Sequence, residues 1–342
     1  MNRKVSNTVP LYTQDLQIGY QSGKRHRTVL DRINLSMERG ELVCLLGENG
    51  VGKSTLLKTI SKIIKPLSGD VFINGKSISK LSNIEIAQNI SLVLTERINT
   101  GMMTVYDLVS LGRYPYTNWS GKLSKEDWKK VDWAIDQANI AALSNLNAME
   151  LSDGQLQKVM IARALAQDGE IMILDEPTAF LDINNRLEII NLLKSLAKET
   201  NKAILISTHE LDLALFSADK LWLATCCLPI VVGIPEDLVL KNALQETFDH
   251  DNFNFDLQTG RFAVKRAFHQ TIGLEGPEPY FTWTKHALNR MGYAVVDNDE
   301  TMNIKITKSG NDYEWKVNRL QDHLKFDSIE SLLKGLNSVI NK

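Results

Sequence analysis

The sequence predicts an α/β fold with a mainly parallel central sheet, and three observations carry that prediction. Three short apolar runs, Glu41–Leu46, Glu170–Leu174 and Ala203–Ser207, have the length and continuity of strands buried on both faces. Segments of helical spacing stand between them, which supplies the crossovers that parallel pairing requires. The first run leads into a glycine-rich loop and the second ends in two carboxylates, so the strand ends carry the polar chemistry.

Taken in order, the chain opens with strand-like alternation at Leu16, Ile18 and Tyr20, which resumes over Val29–Met37. After Glu41–Leu46 and its loop, Leu56, Leu57, Ile60, Ile63 and Ile64 recur at helical spacing until Pro66 stops the helix. Val71–Ile73 followed by Asn74-Gly75 reads as a strand and tight turn. Residues 83–166 are mainly helical, with Trp128 and Trp133 on helical segments, and form a helical lobe inserted before the second buried strand. A helix over Ile183–Thr200 joins the second buried strand to the third. These elements make a first domain of residues 1–264.

Residues 265–342 differ in character and read as a small α+β appendage. One helix carries Phe281, Trp283, Leu288 and Met291; another carries Ile329, Leu332, Leu333, Leu336, Val339 and Ile340 behind an Asp327-x-x-Glu330 start signal. Alternation at Met302, Ile304 and Ile306, and at Tyr313, Trp315 and Val317, predicts half-exposed strands. The aromatic residues here read as core, and no ligand is assigned to this segment.

Composition narrows the function. The 342 residues are 43% hydrophobic and 23% charged, enough to bury a sizeable core, and the net charge of −2 offers no global attraction to nucleic acid. Of the three cysteines, Cys226 and Cys227 are adjacent, which suits neither a disulfide framework nor zinc spacing and fits a reducing compartment. No stretch reaches about 18 uninterrupted apolar residues, and the first twenty residues lack a signal-peptide pattern. The expectation is a cytoplasmic protein, held at a membrane only by a partner.

The chemistry concentrates in Gly47-Glu48-Asn49-Gly50-Val51-Gly52-Lys53-Ser54-Thr55, a G-x-x-x-x-G-K-S/T run between a buried strand and a helix. Its glycines let backbone N–H groups curl around phosphates, and the helix N-terminus adds a positive dipole end. Lys53 would reach the β- and γ-phosphates of a nucleoside triphosphate, and Ser54 would ligate Mg²⁺. At the end of Ile171–Leu174, Asp175 would hold Mg²⁺ and Glu176 would polarise the attacking water. Leu151-Ser152-Asp153-Gly154-Gln155, at a helix start, is a second anion-shaped site free of side-chain obstruction.

That last run resembles the signature sequence of ABC ATPases, with Asp153 where glycine is commonest, and other matches follow in the expected order. The resemblance implies that Ser152, Gly154 and Gln155 grip the γ-phosphate bound by a second copy of the chain, so that two copies work head-to-tail around two ATPs. Ala179-Phe180-Leu181-Asp182 looks like the loop that communicates across such a pair, with Asp182 as its acid. His209, in Thr208-His209-Glu210, resembles the switch histidine that senses the γ-phosphate, and Tyr20 the aromatic that stacks on adenine. The family pattern places a glutamine on the loop between sheet and helical lobe; here Thr95 stands in its place, with Glu96 the alternative metal contact. Threonine is shorter and lacks the amide, which points to hydrolysis unusually dependent on the transporter partner.

Leu111-Gly112-Arg113-Tyr114-Pro115-Tyr116 looks like the Gly-Arg-x-Pro segment of ATPases that power importers of iron–siderophore complexes, haem and cobalamin. In that group it lies near the groove that receives a permease helix. The resemblance covers roughly residues 14–262, including Gly233–Asp237, Phe255-Asp256 and Thr259–Phe262, and implies integral-membrane permease subunits, an extracytoplasmic binding protein and a position at the cytoplasmic face. The rival readings are an ABC ATPase acting on ribosomes or DNA and a P-loop kinase. The first usually needs two ATPase halves or a long coiled coil, and the second has no use for the Leu151–Gln155 signature.

Overall fold

The computed structural model describes residues 9–340 apart from 24, 96–100, 227, 249–252, 257–259, 265–267, 300, 311 and 320–321. Glu96, Cys227 and Thr259, each singled out in the sequence, lie outside the described residues.

Alternating apolar residues make β1 (Leu11–Ser22), β2 (Arg25–Ile33) and β3 (Ser36–Met37), which pair antiparallel through β1. The wholly buried β4 (Leu42–Gly47) then delivers the chain to the glycine-rich loop and α1 (Lys53–Ile60). β5 (Ser68–Ile73) and β6 (Lys76–Ser77) close a five-stranded antiparallel sheet across the turn at Asn74-Gly75, where both residues have positive φ. Leu16, Ile18, Leu30 and Val71 of that sheet and Leu56, Leu57 and Ile60 of α1 share one buried core with β4.

α2 (Asn83–Asn89) is followed by β7 (Ile90–Val93). The inserted segment is thus not helical throughout: β7 pairs parallel with β8 (Ile171–Asp175) and is an outer strand of the central sheet. Four residues of Ile-Ser-Leu-Val are too few to show a period that separates strand from helix. The lobe proper consists of α3 (Val105–Ser110), a 3₁₀ turn over Leu111–Tyr116, α4 (Lys125–Gln137) and α5 (Asp153–Ala166). β8, α6 (Ile183–Thr200), β9 (Ala203–Thr208) and α7 (Leu211–Ser217) complete the alternation. The apolar run beginning at Leu221 supplies β10 (Lys220–Ala224) and its antiparallel partner β11 (Val231–Gly233), two strands the sequence reading did not resolve. The central sheet runs β11-β10-β4-β9-β8-β7, parallel except for β11. α8 (Pro235–Leu240) and α9 (Ala243–Phe248) follow.

The chain divides into two compact units, Met1–Asp249 with Phe255–Arg261 and His250–Asn254 with Phe262–Lys342. β12 (Phe253–Asp256) pairs with β13 (Arg261–Val264) in a two-stranded ribbon. In the second unit β14 (Gln270–Glu275), α10 (Tyr280–Arg290), β15 (Tyr293–Val296), β16 (Met302–Ser309), β17 (Asp312–Arg319), β18 (Asp322–Phe326) and α11 (Ile329–Ile340) form a mixed sheet with two helices. The sheet order is β15-β14-β16-β17-β18, and Ile272, Ile304, Trp315, Leu288 and Leu336 share its core. α11 starts one residue later than its sequence signal: Ser328, not Asp327, takes the cap and exchanges hydrogen bonds with Ser331. Asp327 instead accepts from both serine hydroxyls.

Candidate functional site

The phosphate loop is built by the exit of β4. Gly52 caps α1 with φ 113°, and a Cβ there would stand 2.3 Å from Val29 Cγ1, so no other residue fits. The N-cap residue, Gly52, has no side chain with which to cap α1, which leaves the N-terminal end of the helix to an anion. Lys53 is buried and donates to the carbonyl oxygens of Gly47 (2.8 Å) and Glu48 (3.1 Å). Burial pushes its pKa down, while the Glu176 and Asp175 carboxylates act in the opposite sense. An ammonium held by carbonyls over a helix start is a fitting receptor for a polyphosphate. Tyr20, 52% exposed, reaches the same helix, its hydroxyl 2.9 Å from Thr55 Oγ1.

β8 and β9 deliver the acids. Ser207, fully buried at the end of β9, donates to Asp175 Oδ1 (2.5 Å) and accepts the N–H of Glu176 (2.9 Å). One hydroxyl thus fixes both carboxylate-bearing residues. Glu176 takes a left-handed backbone (φ 49°), and its carbonyl accepts from Ala179 N (3.1 Å). His209 Nδ1 lies 3.7 Å from Glu176 Oε1, beyond hydrogen-bond range. Thr95 donates its hydroxyl to the Asp175 carbonyl (2.7 Å), so it is tied to the end of β8 with its lone pairs left over.

The donor set suits Mg²⁺. Ser54 is exposed and Asp175 keeps its second carboxylate oxygen, while no group of three or more His, Cys, Asp or Glu gathers as a metal cage among the described residues. A hard cation held by one or two oxygen ligands and completed by substrate phosphates and water matches this.

The signature stands apart. Ser152 caps α5, accepting from Gln155 N (3.3 Å), while Gln155 Oε1 takes the Ser152 N–H (3.0 Å) in a closed capping box. Among the described residues no hydrogen bond or ion pair joins Ser152, Gly154 or Gln155 to residues 47–55. A cleft instead sets Asp153 and Leu156 opposite Thr95, Glu176 and Phe180. Asn185 fills the space left by the absent side chain of Gly154 and donates to Asp182 Oδ2 (2.9 Å), linking signature to Asp182. Thr178 and Arg186 both hold Glu210, at 2.7 and 3.0 Å, and so pin the segment after His209. Ser207, Asn185 and Arg186 were missed by sequence reasoning. Only Ser207 carried a signal, as the polar end of an apolar run.

A phosphate loop at one strand end, paired acids on a nearby parallel strand and an anion-shaped helix start on a separate lobe define an ATP-binding cassette. This chain belongs to the ABC transporter ATP-binding family. The family described as ABC transporter matches residues 30–179, and the Iron ABC transporter C-terminal domain matches residues 269–337. An uncharacterized ABC transporter ATP-binding protein of Methanocaldococcus jannaschii is 43% identical over 255 residues, covering 75% of this chain and 87% of that protein. The iron(3+)-hydroxamate import ATP-binding protein of Bacillus subtilis is 40% identical over 202 residues, covering 59% and 74%. The solved structure of a dimeric bacterial ABC transporter cassette superposes with a TM-score of 0.53 at 29% identity, covering 62% of this chain and 93% of that one. No helix among the described residues is long and apolar enough to cross a membrane.

Proposed function

We propose that this chain hydrolyses ATP to power an importer of iron–siderophore, haem or cobalamin-type cargo, with iron–siderophore favoured. The observation that carries the reading is that, among the described residues, no hydrogen bond or ion pair joins Ser152, Gly154 or Gln155 to the phosphate loop of the same chain, while Ser152 and Gln155 close on each other. A second copy, head-to-tail, brings each signature to the other's phosphate loop. Lys53 and His209 then contact the γ-phosphate from one side and Ser152, Gly154 and Gln155 from the other. Tyr20 stacks on adenine, and residues 47–52 with Ser54 and Thr55 wrap the phosphates. Mg²⁺, held by Ser54 and Asp175 with Thr95 beside them, neutralises phosphate charge when bound. Glu176 orients and polarises the attacking water, and Asp182 relays between the two copies. Positioning and electrostatics supply the rate.

The exposed side chains of Leu111 and Tyr114 on the 3₁₀ turn support docking of an integral-membrane permease there, which would hold the chain at the cytoplasmic face. An extracytoplasmic binding protein would act only through that permease. The iron assignment is supported by the match of residues 269–337 and by the name of the Bacillus subtilis relative.

The test is Glu176→Gln purified with its membrane partners. Retained ATP binding, hydrolysis lower by about 10²–10⁴-fold and accumulation of an ATP-bound dimer are expected. Turnover at the wild-type rate would remove Glu176 from its role, and co-purification with ribosomes in place of a polytopic permease would overturn transport.

A further inference from the structure

Arg113 and Asp127 are both almost wholly buried, at 6% and 7% exposure, in the lobe and outside the nucleotide site. Arg113 makes four directed contacts. Its Nε and Nη2 meet Asp127 Oδ1 at 2.9 and 2.8 Å, its Nη1 donates to Ala166 O at 2.8 Å, and its guanidinium lies 3.9 Å over the Tyr116 ring. Ala166 is the last residue of α5, so the guanidinium satisfies an end carbonyl and complements the negative end of the helix dipole. Asp127 Oδ2 in turn accepts from Ser124 N and Oγ at 2.9 and 2.7 Å, closing the start of α4. Next door, a Cβ on Gly112 would stand 2.2 Å from Arg163 O, so turn and helix backbones touch. Gln88 Nε2 donates to Pro115 O at 3.1 Å and Gln167 Nε2 to Ile90 O at 2.7 Å, tying both to the β7 region.

The outer side of the same turn is open, with Tyr114 76% exposed. At the other end of α5, about 20 Å away at 1.5 Å per residue, stand Ser152 and Gly154. A buried ion pair is seldom retained for stability, because apolar residues of similar volume often serve as well. What it does supply is a fixed geometry.

We propose that Arg113 is a positioning residue that locks the exposed 111–116 turn to the C-terminal end of α5, so that a push on the turn moves the signature as part of one rigid body. The inference rests on the transporter reading, in which the turn receives the permease.

The test compares wild type, Arg113→Met with Asp127→Asn, and Arg113→Lys, each assembled with the permease that co-purifies with the wild-type chain. The double variant removes both charges while leaving an amide to cap α4. Its thermal midpoint and the KM for ATP are expected to stay at wild-type values, while permease-stimulated kcat falls about tenfold. Arg113→Lys keeps one of the bonds and is expected to recover part of the loss. Stimulation equal to wild type would overturn the inference. So would a loss that tracks a fall in the thermal midpoint or a rise in KM, which marks a purely structural role. Wild-type chain that no permease stimulates would defeat the transporter reading itself, and this inference with it.

Discussion

Glu176 sits in left-handed backbone, a conformation that costs a non-glycine residue about 1–3 kcal/mol and survives only where surroundings impose it. Ser207, accepting the Glu176 N–H, and the Ala179 N–H, donating to the Glu176 carbonyl, hold it in that conformation. Lys53 is constrained in the opposite way. Its ammonium rests on two carbonyls and is desolvated, so a phosphate that replaces those weak partners gains a charge-assisted bond. Lys53→Ala is therefore expected to cost about 1.5–3 kcal/mol of nucleotide affinity, roughly tenfold to a hundredfold, with little change in fold. Titration with a fluorescent ATP analogue checks this, and unchanged affinity would show that the backbone loop alone holds the phosphates. At this scale the sequence was informative wherever the chemistry is local. Gly47–Thr55 and Asp175-Glu176 announce themselves because neighbours in the chain are neighbours in the site. Ser207 is 32 residues from Asp175, and only the parallel register Asp175↔Ser207 makes it part of the site.

At the scale of elements, α5 does two jobs at its two ends. Its start presents Ser152 and Gly154, and its end is packed so closely on Gly112 that no side chain fits between them. Gly112→Ala is expected to destabilise by about 1–3 kcal/mol through overpacking against Arg163 O. The measurement is urea unfolding followed by the intrinsic fluorescence of the six tryptophans, two of which, Trp128 and Trp133, lie on α4. An unchanged midpoint would mean that the turn can draw back from α5 freely. Helices were legible here because 3.6-residue spacing repeats over three or more turns, as in Ile183–Thr200. β7 and β10 were not, for opposite reasons. β7 is short, and β10 opens a long apolar run, Leu221–Ile234, whose continuity hides where one strand ends and β11 begins.

The whole molecule joins two units with separate cores. Lys53, Asp175, Glu176, Ser152 and His209 all come from the first, and the second has its own cluster of Ile272, Leu288, Ile304, Trp315 and Leu336. Each cluster draws its residues from within one unit, and burial of apolar area removes that surface from water there. Truncation that removes residues 265–342 is therefore expected to leave the Kd for ATP within about twofold of the intact chain, since none of the groups named above is lost. Permease-stimulated hydrolysis of the truncated chain reads the second unit's contribution separately. A drop there with unchanged Kd assigns that unit to coupling or regulation. A Kd weakened well beyond twofold would mean that the second unit shapes the nucleotide site, and the two cores would no longer count as independent.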